Sequence, residues 1–268
     1  MRAHPTAVVD TRAKLADDVE VGPYSVIGPN VKMGPGCVIE NHVTIKGNTT
    51  IGSNCHLHSS SVIGGVPQDL KFKGEETEVI IGDDNTIREF VTINSGTVQG
   101  GGKTVIGDGN LLMAYVHIAH DCILGNHVIL ANVATLGGHI RVEDGARVSG
   151  LAAVHHFVSI GRLAFVGGCA GVVRDVPPFM MVTGNPARVR GLNTEGLKRS
   201  GIERDDLSAL KEAYRYLYRS DLNRSQAIEE MRQSGLAESP ATAELIRFLM
   251  NSERGRRGRG REAERSDS

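Results

Sequence analysis

The residues best suited to chemistry are histidines gathered in the middle of the chain. His117, His120, His139, His155 and His156 lie close in sequence, and Asp121 directly follows one of them. Imidazole titrates near neutrality, so a histidine can take a proton from a hydroxyl and return it to a leaving group. Asp121 can orient a His120 imidazolium only if a corner brings these two neighbours to the same side. Gly138 has no side chain to obstruct approach, and its backbone N–H suits an oxyanion. Base, orienting acid and oxyanion donor together describe acyl transfer to a hydroxyl. No activated Ser or Cys accompanies them, which favours direct transfer over an acyl-enzyme. Three imidazoles with an open position also describe a catalytic zinc site. A non-catalytic scaffold is the third reading, and it leaves the histidines unexplained.

These residues are positioned by a repeat. An aliphatic residue recurs at every sixth position, as in Val9, Leu15, Val21, Ile27, Met33 and Ile39, and again from Ile106 to Val172. A small or β-branched residue stands four positions after most of them, as at Val31, Cys37, Val43, Cys122 and Ala134. A period of six fits neither a helix face nor an alternating strand. It fits a short strand plus a corner, and three such sides close a triangular coil. Successive coils then pair as parallel strands about 4.8 Å apart. The interior of such a prism is too narrow for large rings, in keeping with 4% aromatic residues and no Trp. Ile118, Leu136 and Val154 begin the same side of three successive coils, so Gly138, eighteen residues after His120, stacks beside it.

Two segments interrupt the repeat, residues 64–80 and 96–104. Insertions in a solenoid become loops, frequently at the binding face. Asp69 and Lys71 in the first suggest a polar clamp. The period becomes helical beyond about residue 194, with a stripe of Leu207, Leu210, Tyr214, Leu217 and Tyr218 and a Ser239-Pro240 cap for the last helix. The expected organisation is a β-helix over 1–190, a helical domain over 191–252, and a disordered Arg/Gly-rich tail over 253–268. Net charge is −1, which gives no nucleic-acid bias, and no run approaches a membrane span. Cys37, Cys55 and Cys122 fall at the small interior position. Nothing suggests a disulfide framework, so a cytoplasmic location is expected.

The stretches NLLMAYVHIAHDC (110–122), ILANVATLGGH (129–139), VPQDLKFKGEE (66–76), GTVQGGGKT (96–104), VGGCAGVVRDVPP (166–178) and GLNTEGLKR (191–199) together resemble the UDP-N-acetylglucosamine O-acyltransferases, over roughly residues 1–250 and in order. The period alone does not set the hand of the coil. The resemblance to hexapeptide-repeat proteins implies a mainly β fold, a left-handed parallel β-helix with a C-terminal α-helical domain.

It further implies transfer of a 3-hydroxyacyl chain from acyl carrier protein to the 3-hydroxyl of UDP-N-acetylglucosamine, the first step of lipid A synthesis. The implied enzyme is a homotrimer with no metal and no bound cofactor, the donor being carried on the phosphopantetheine of acyl carrier protein. By matching, His120 is the base, Asp121 its partner and Gly138 the oxyanion donor. Gln68, Asp69, Lys71, His117, His139 and His155 hold substrate, and Asn193, Glu195 and Arg199 meet the nucleotide. Gly168 matches the position that sets acyl-chain length. The chain departs from the family pattern at Ser200, where a second basic residue is common, and at His156, where Gln is common. The alternatives are a γ-class carbonic-anhydrase-like zinc enzyme and the related N-acyltransferase of the same pathway.

Overall fold

The structure, a computed structural model, describes residues 1–264. The repeat closes into a left-handed parallel β-helix whose strands stack as three flat faces. Face A has 11 strands, face B 9 and face C 8, and the chain visits them in the order A, B, C. The aliphatic of each repeat points inward, so Ile45, Leu57, Ile93, Ile118 and Leu136 are all 0% exposed. The residue four positions later fills the space between them, as Val43, Val91 and Ala134 do. Corners are turned by left-handed residues, and most of these are not glycine: Tyr24, His42, Phe90, Tyr115, Asp121, His139 and Phe157 all have φ between 53° and 68°. Each costs backbone energy, which the ladder of backbone hydrogen bonds between coils offsets.

The register bears out the eighteen-residue stacking. His117 pairs with Thr92 on one side and Thr135 on the other, and Ile118 with Leu136. Both interruptions leave the prism at the same place, the edge where face B passes to face C. The first joins strand Val62–Gly65 to strand Glu78–Ile81, and the second joins Thr92–Asn94 to Lys103–Ile106. The next turn along that edge is His120-Asp121, between strands His117–Ile118 and Ile123–Leu124.

An antiparallel strand, Arg188–Leu192, ends the coil. Four helices follow: α1 (Thr194–Arg199), α2 (Arg204–Tyr218), α3 (Arg224–Gln233) and α4 (Pro240–Arg254). They share a second core built around Phe179, Leu210, Met231 and Leu245. Ser239 caps α4 by accepting from the Thr242 N–H, with Pro240 in the first turn. Arg162 clamps Glu244 of α4 at 2.8–3.1 Å, holding the helices on the prism.

The segment whose composition predicts a disordered tail is ordered over 253–264, while 265–268 lie outside the described residues. Partly buried Asp175 anchors it, accepting from Ser252 Oγ and the Gly260 N–H at 2.8 Å each. Arg259, 5% exposed, donates to the Val173 carbonyl and pairs with Glu262. A Gly/Arg composition reports few apolar side chains, but the Asp175 carboxylate and the Val173 and His139 carbonyls supply polar anchors instead.

Candidate active site

At the B–C edge the corner at Asp121, with φ 61°, turns its side chain back toward His120. This resolves the difficulty that strand neighbours face opposite ways. His120 Nδ1 lies 2.7 Å from Asp121 Oδ2. Asp121 is 1% exposed. Burial alone would raise its carboxyl pKa, but the hydrogen bonds from His120 and Thr97 outweigh burial and bring it below the usual range. The carboxylate can therefore only accept, so His120 Nδ1 donates in this hydrogen bond and Nε2 is the ring nitrogen turned away from Asp121.

Asp121 is braced by a residue that the repeat conceals. The Thr97 N–H donates to Oδ1 at 2.8 Å and the Thr97 hydroxyl to Oδ2 at 2.6 Å. Thr97 belongs to the glycine-rich interruption, whose Gly100 passes so close that a Cβ there would lie 2.0 Å from Asp121 Cγ. The Asp121 N–H is taken by Thr104 Oγ1 at 2.9 Å. Thus the loop at 96–104 is the wall that dehydrates and orients the acid. The sequence signals for it are the break in the period just before His120 and the run of three glycines within the break.

Gly138 lies against the His120 ring as the register requires. A Cβ at Gly138 would stand 2.5 Å from Cε1 and 2.7 Å from Nε2 of that ring. Among the described residues the Gly138 N–H donates to no protein group. His139 stacks on Phe157, with ring centroids 4.4 Å apart, and meets His120 edge-on at 5.1 Å. Burial drives the His139 pKa down to about 4, so its ring is neutral at physiological pH. His117 is also pushed down by burial, and its Nδ1 lies 2.7 Å from Thr92 Oγ1. His155 sits one coil further on, its Nδ1 3.1 Å from the His156 carbonyl. Arg261 of the ordered tail donates to the His139 carbonyl at 2.8 Å.

The remaining candidates divide. Asp69 lies within electrostatic reach of the His139 ring, and it accepts from the Lys71 N–H at 2.9 Å. Gln68 and Lys71 are exposed on the same loop. Gly168 lies elsewhere, on the A–B edge between strands Phe165–Val166 and Gly171–Val172. It is exposed, and a Cβ added there would meet nothing nearer than the Gly150 carbonyl oxygen at 3.5 Å. Asn193, Glu195 and Arg199 occupy a third place, beside the C–A turn at Leu163. The Asn193 amide caps α1 by accepting from the Gly196 N–H at 3.1 Å, and it donates to the Leu163 carbonyl at 2.9 Å. Glu195 and Arg199 are the exposed side chains of the three. Ser200 ends α1, its hydroxyl on the Leu197 carbonyl at 2.8 Å. A single chain therefore does not unite the three groups.

Comparison with known proteins decides the family. The second-domain model of UDP N-acetylglucosamine O-acyltransferase matches residues 175–256, and the bacterial transferase hexapeptide model matches 12–47, 30–65 and 103–138. An acyl-[acyl-carrier-protein]–UDP-N-acetylglucosamine O-acyltransferase of Thermodesulfovibrio yellowstonii is 49% identical over 252 residues, covering 94% of this chain and 97% of its own. The chain belongs to the UDP-N-acetylglucosamine O-acyltransferase family. The Saccharophagus degradans enzyme of that name is 51% identical over 253 residues, covering 94% of this chain and 97% of its own. The solved UDP-N-acetylglucosamine acyltransferase of Francisella novicida superposes with a TM-score of 0.89 at 38% identity, covering 92% of this chain and 91% of its own. Membership in this acyltransferase family sets aside the carbonic-anhydrase reading of the histidines.

Proposed function

We propose that this chain transfers a 3-hydroxyacyl group from acyl carrier protein to the 3-hydroxyl of UDP-N-acetylglucosamine, opening lipid A synthesis, without a metal or bound cofactor. The observation that carries the mechanism is the His120–Asp121 pair at 2.7 Å with the His120 ring against Gly138. His120 Nε2 takes the proton of the sugar hydroxyl as that oxygen attacks the thioester carbonyl carbon. The new C–O bond leaves the negative charge on the former carbonyl oxygen, where the Gly138 N–H can receive it. Collapse breaks the C–S bond, and the imidazolium returns its proton to the departing phosphopantetheine sulfur. Asp121 stabilises the imidazolium between these steps. Asp69, Gln68 and Lys71 border the pocket on the insert side, and His117, His139 and His155 supply polar edges for the sugar and acyl groups.

We further read the working form as a homotrimer in the cytoplasm. Exposed Tyr24, Phe90, Tyr115, Val133 and Leu151 line the A–B edge, and the Phe90 and Tyr115 rings stack at 4.8 Å. The run of exposed apolar corners from Phe90 to Leu151 favours burial against other copies. With that edge at a threefold axis, face B of one copy would oppose face A of the next. The His120 corner of the first would then meet Glu195 and Arg199 of the second across one cleft. Gly168, on the inner edge, would leave room for a long acyl chain. No helix among the described residues is long and apolar enough to cross a membrane.

The test is chelator-treated, metal-free protein incubated with 3-hydroxyacyl carrier protein and UDP-N-acetylglucosamine, with products resolved by mass spectrometry. A singly O-acylated nucleotide sugar is expected. No product, or product only after zinc is restored, would overturn the metal-free mechanism.

A further inference from the structure

A second cluster of imidazoles and carboxylate lies on face A, where it turns toward face B, outside the acyl-transfer site. Strands Val38–Ile39, His56–Leu57 and Thr86–Ile87 pair in register, so His56 stands between Val38 and Thr86. Leu57 points into the prism at 0% exposed. Side chains alternate along a strand, which leaves His56 and His58 together on the outside. The same register carried two residues further sets Glu40 beside His58.

The side chains converge closely. Glu40 Oε1 lies 3.1 Å from His56 Nε2 and 2.9 Å from His58 Nδ1. The two rings stack with centroids 4.0 Å apart. One donor atom from each of the three residues falls within 4.8 Å of the others. Glu40 is also held from behind: its Oε2 accepts from the Ser59 N–H at 3.1 Å and the Ser59 hydroxyl at 2.8 Å. That leaves Oε1 aimed at the imidazoles, the arrangement in which outer hydrogen bonds fix a metal ligand. Arg88, next along the edge, is paired with Glu89 at 2.9–3.0 Å, which blunts its repulsion of a cation.

We propose that Glu40, His56 and His58 form a binding site for one divalent transition-metal ion of the zinc class, distinct from the catalytic histidines. Two imidazole nitrogens and a single carboxylate oxygen suit Zn²⁺ and its neighbours rather than Mg²⁺ or Ca²⁺. Zinc–ligand bonds of about 2.0–2.1 Å in a tetrahedron separate the ligand atoms by roughly 3.4 Å. The two carboxylate–imidazole separations would open by roughly 0.3–0.5 Å to reach that geometry. The half-exposed outer side leaves a position for water. An ion here joins two coils, so its role is structural, and it stands whether or not the chain transfers acyl groups.

The experiment is titration of intact, chelator-treated protein with Co²⁺, read by visible absorption, followed by Zn²⁺ competition and calorimetry. One ion per chain is expected, with a rise in melting temperature on adding metal. Glu40→Gln and His58→Ala should abolish both signals, whereas His120→Ala should keep both. The isosteric Glu40→Gln guards against misfolding, checked by circular dichroism. Absence of stoichiometric binding to the wild type would overturn the site. So would binding that survives His58→Ala and Glu40→Gln but disappears in His120→Ala, since the ion would then belong to His120, Asp121 and His139.

Discussion

The chain uses two imidazoles and one carboxylate twice, and the two clusters behave differently because of what surrounds the carboxylate. At the B–C edge, Asp121 is fully enclosed, receives two hydrogen bonds from Thr97 and touches His120 at 2.7 Å, with His139 standing off at 3.7 Å. One ring is thereby held with Nδ1 on the carboxylate and its other nitrogen turned away from it. On face A, Glu40 is partly exposed, and a single oxygen faces both rings at 2.9 and 3.1 Å. Both rings there turn a nitrogen inward to the same point. The first arrangement manages a proton, and the second converges on a cation. Residue type does not separate them. Burial and the direction of the ring nitrogens do.

The largest effect that tests this contrast comes from the rings themselves. His120→Ala should lower turnover by on the order of 10²–10⁴, the usual worth of general acid–base catalysis, while His58→Ala leaves turnover unchanged. Steady-state rates of both variants at saturating substrate decide the matter. Equal losses would show that the two clusters are not functionally distinct.

Gly138→Ala should come next. Its Cβ would lie 2.5–2.7 Å from His120 ring atoms, so the ring must be displaced from its present place beside Asp121. A displacement of that kind costs roughly 10²-fold in rate. The loss should appear in kcat with the melting temperature preserved. Wild-type kcat in this variant would mean that Gly138 does not set the ring's place.

Thr97→Val removes one hydroxyl hydrogen bond to a buried carboxylate, worth about 1.5–3 kcal/mol, or about 10- to 100-fold in rate if it is fully expressed in the orientation of His120. Thr97→Ser should restore most of the rate, and KM should change little. A change confined to KM would instead place Thr97 in substrate binding.

The contrast between these residues also marks how far the sequence alone can be read. The six-residue period specifies which residues face inward, and eighteen-residue counting places Gly138 beside His120. Both follow because the coil is regular and every turn has the same length. Thr97 escapes that counting because it sits in the interruption, where the register is lost and only the folded loop shows what it reaches. Glu40 and His58 are separated by the regular interval, yet nothing in the repeat is disturbed there, so no signal singles them out. The tail departs from its expected disorder for another reason. Composition measures the apolar surface available for burial, and residues 255–264 are held by polar anchors, Asp175 and the Val173 and His139 carbonyls. Asn193, Glu195 and Arg199 are legible by resemblance alone, since no spacing within one chain brings the C–A turn to the B–C edge.

The smallest expected effect separates the clusters by pH. Burial, only partly offset by Asp121, lowers the His139 pKa from 6.5 to about 4. Between those two values the unfolded chain carries a proton on His139 that the folded chain does not. Unfolding then takes up a proton, so stability falls as pH drops from 6.5 toward 4 and is fully restored above that window. Burial pushes His58 in the same direction, but Glu40 stands 2.9 Å from it, against 3.7 Å between Asp121 and His139. The nearer carboxylate offsets more of the burial. His139→Phe should therefore flatten the acid decline in melting temperature more than His58→Phe does. The corner tolerates the change, because Phe157 turns the next coil with φ 64°. Melting curves of the two variants and the wild type across that window measure the difference directly. An equal flattening would mean that the two carboxylates offset burial alike, and that enclosure of Asp121 does not set the charge state of its second histidine.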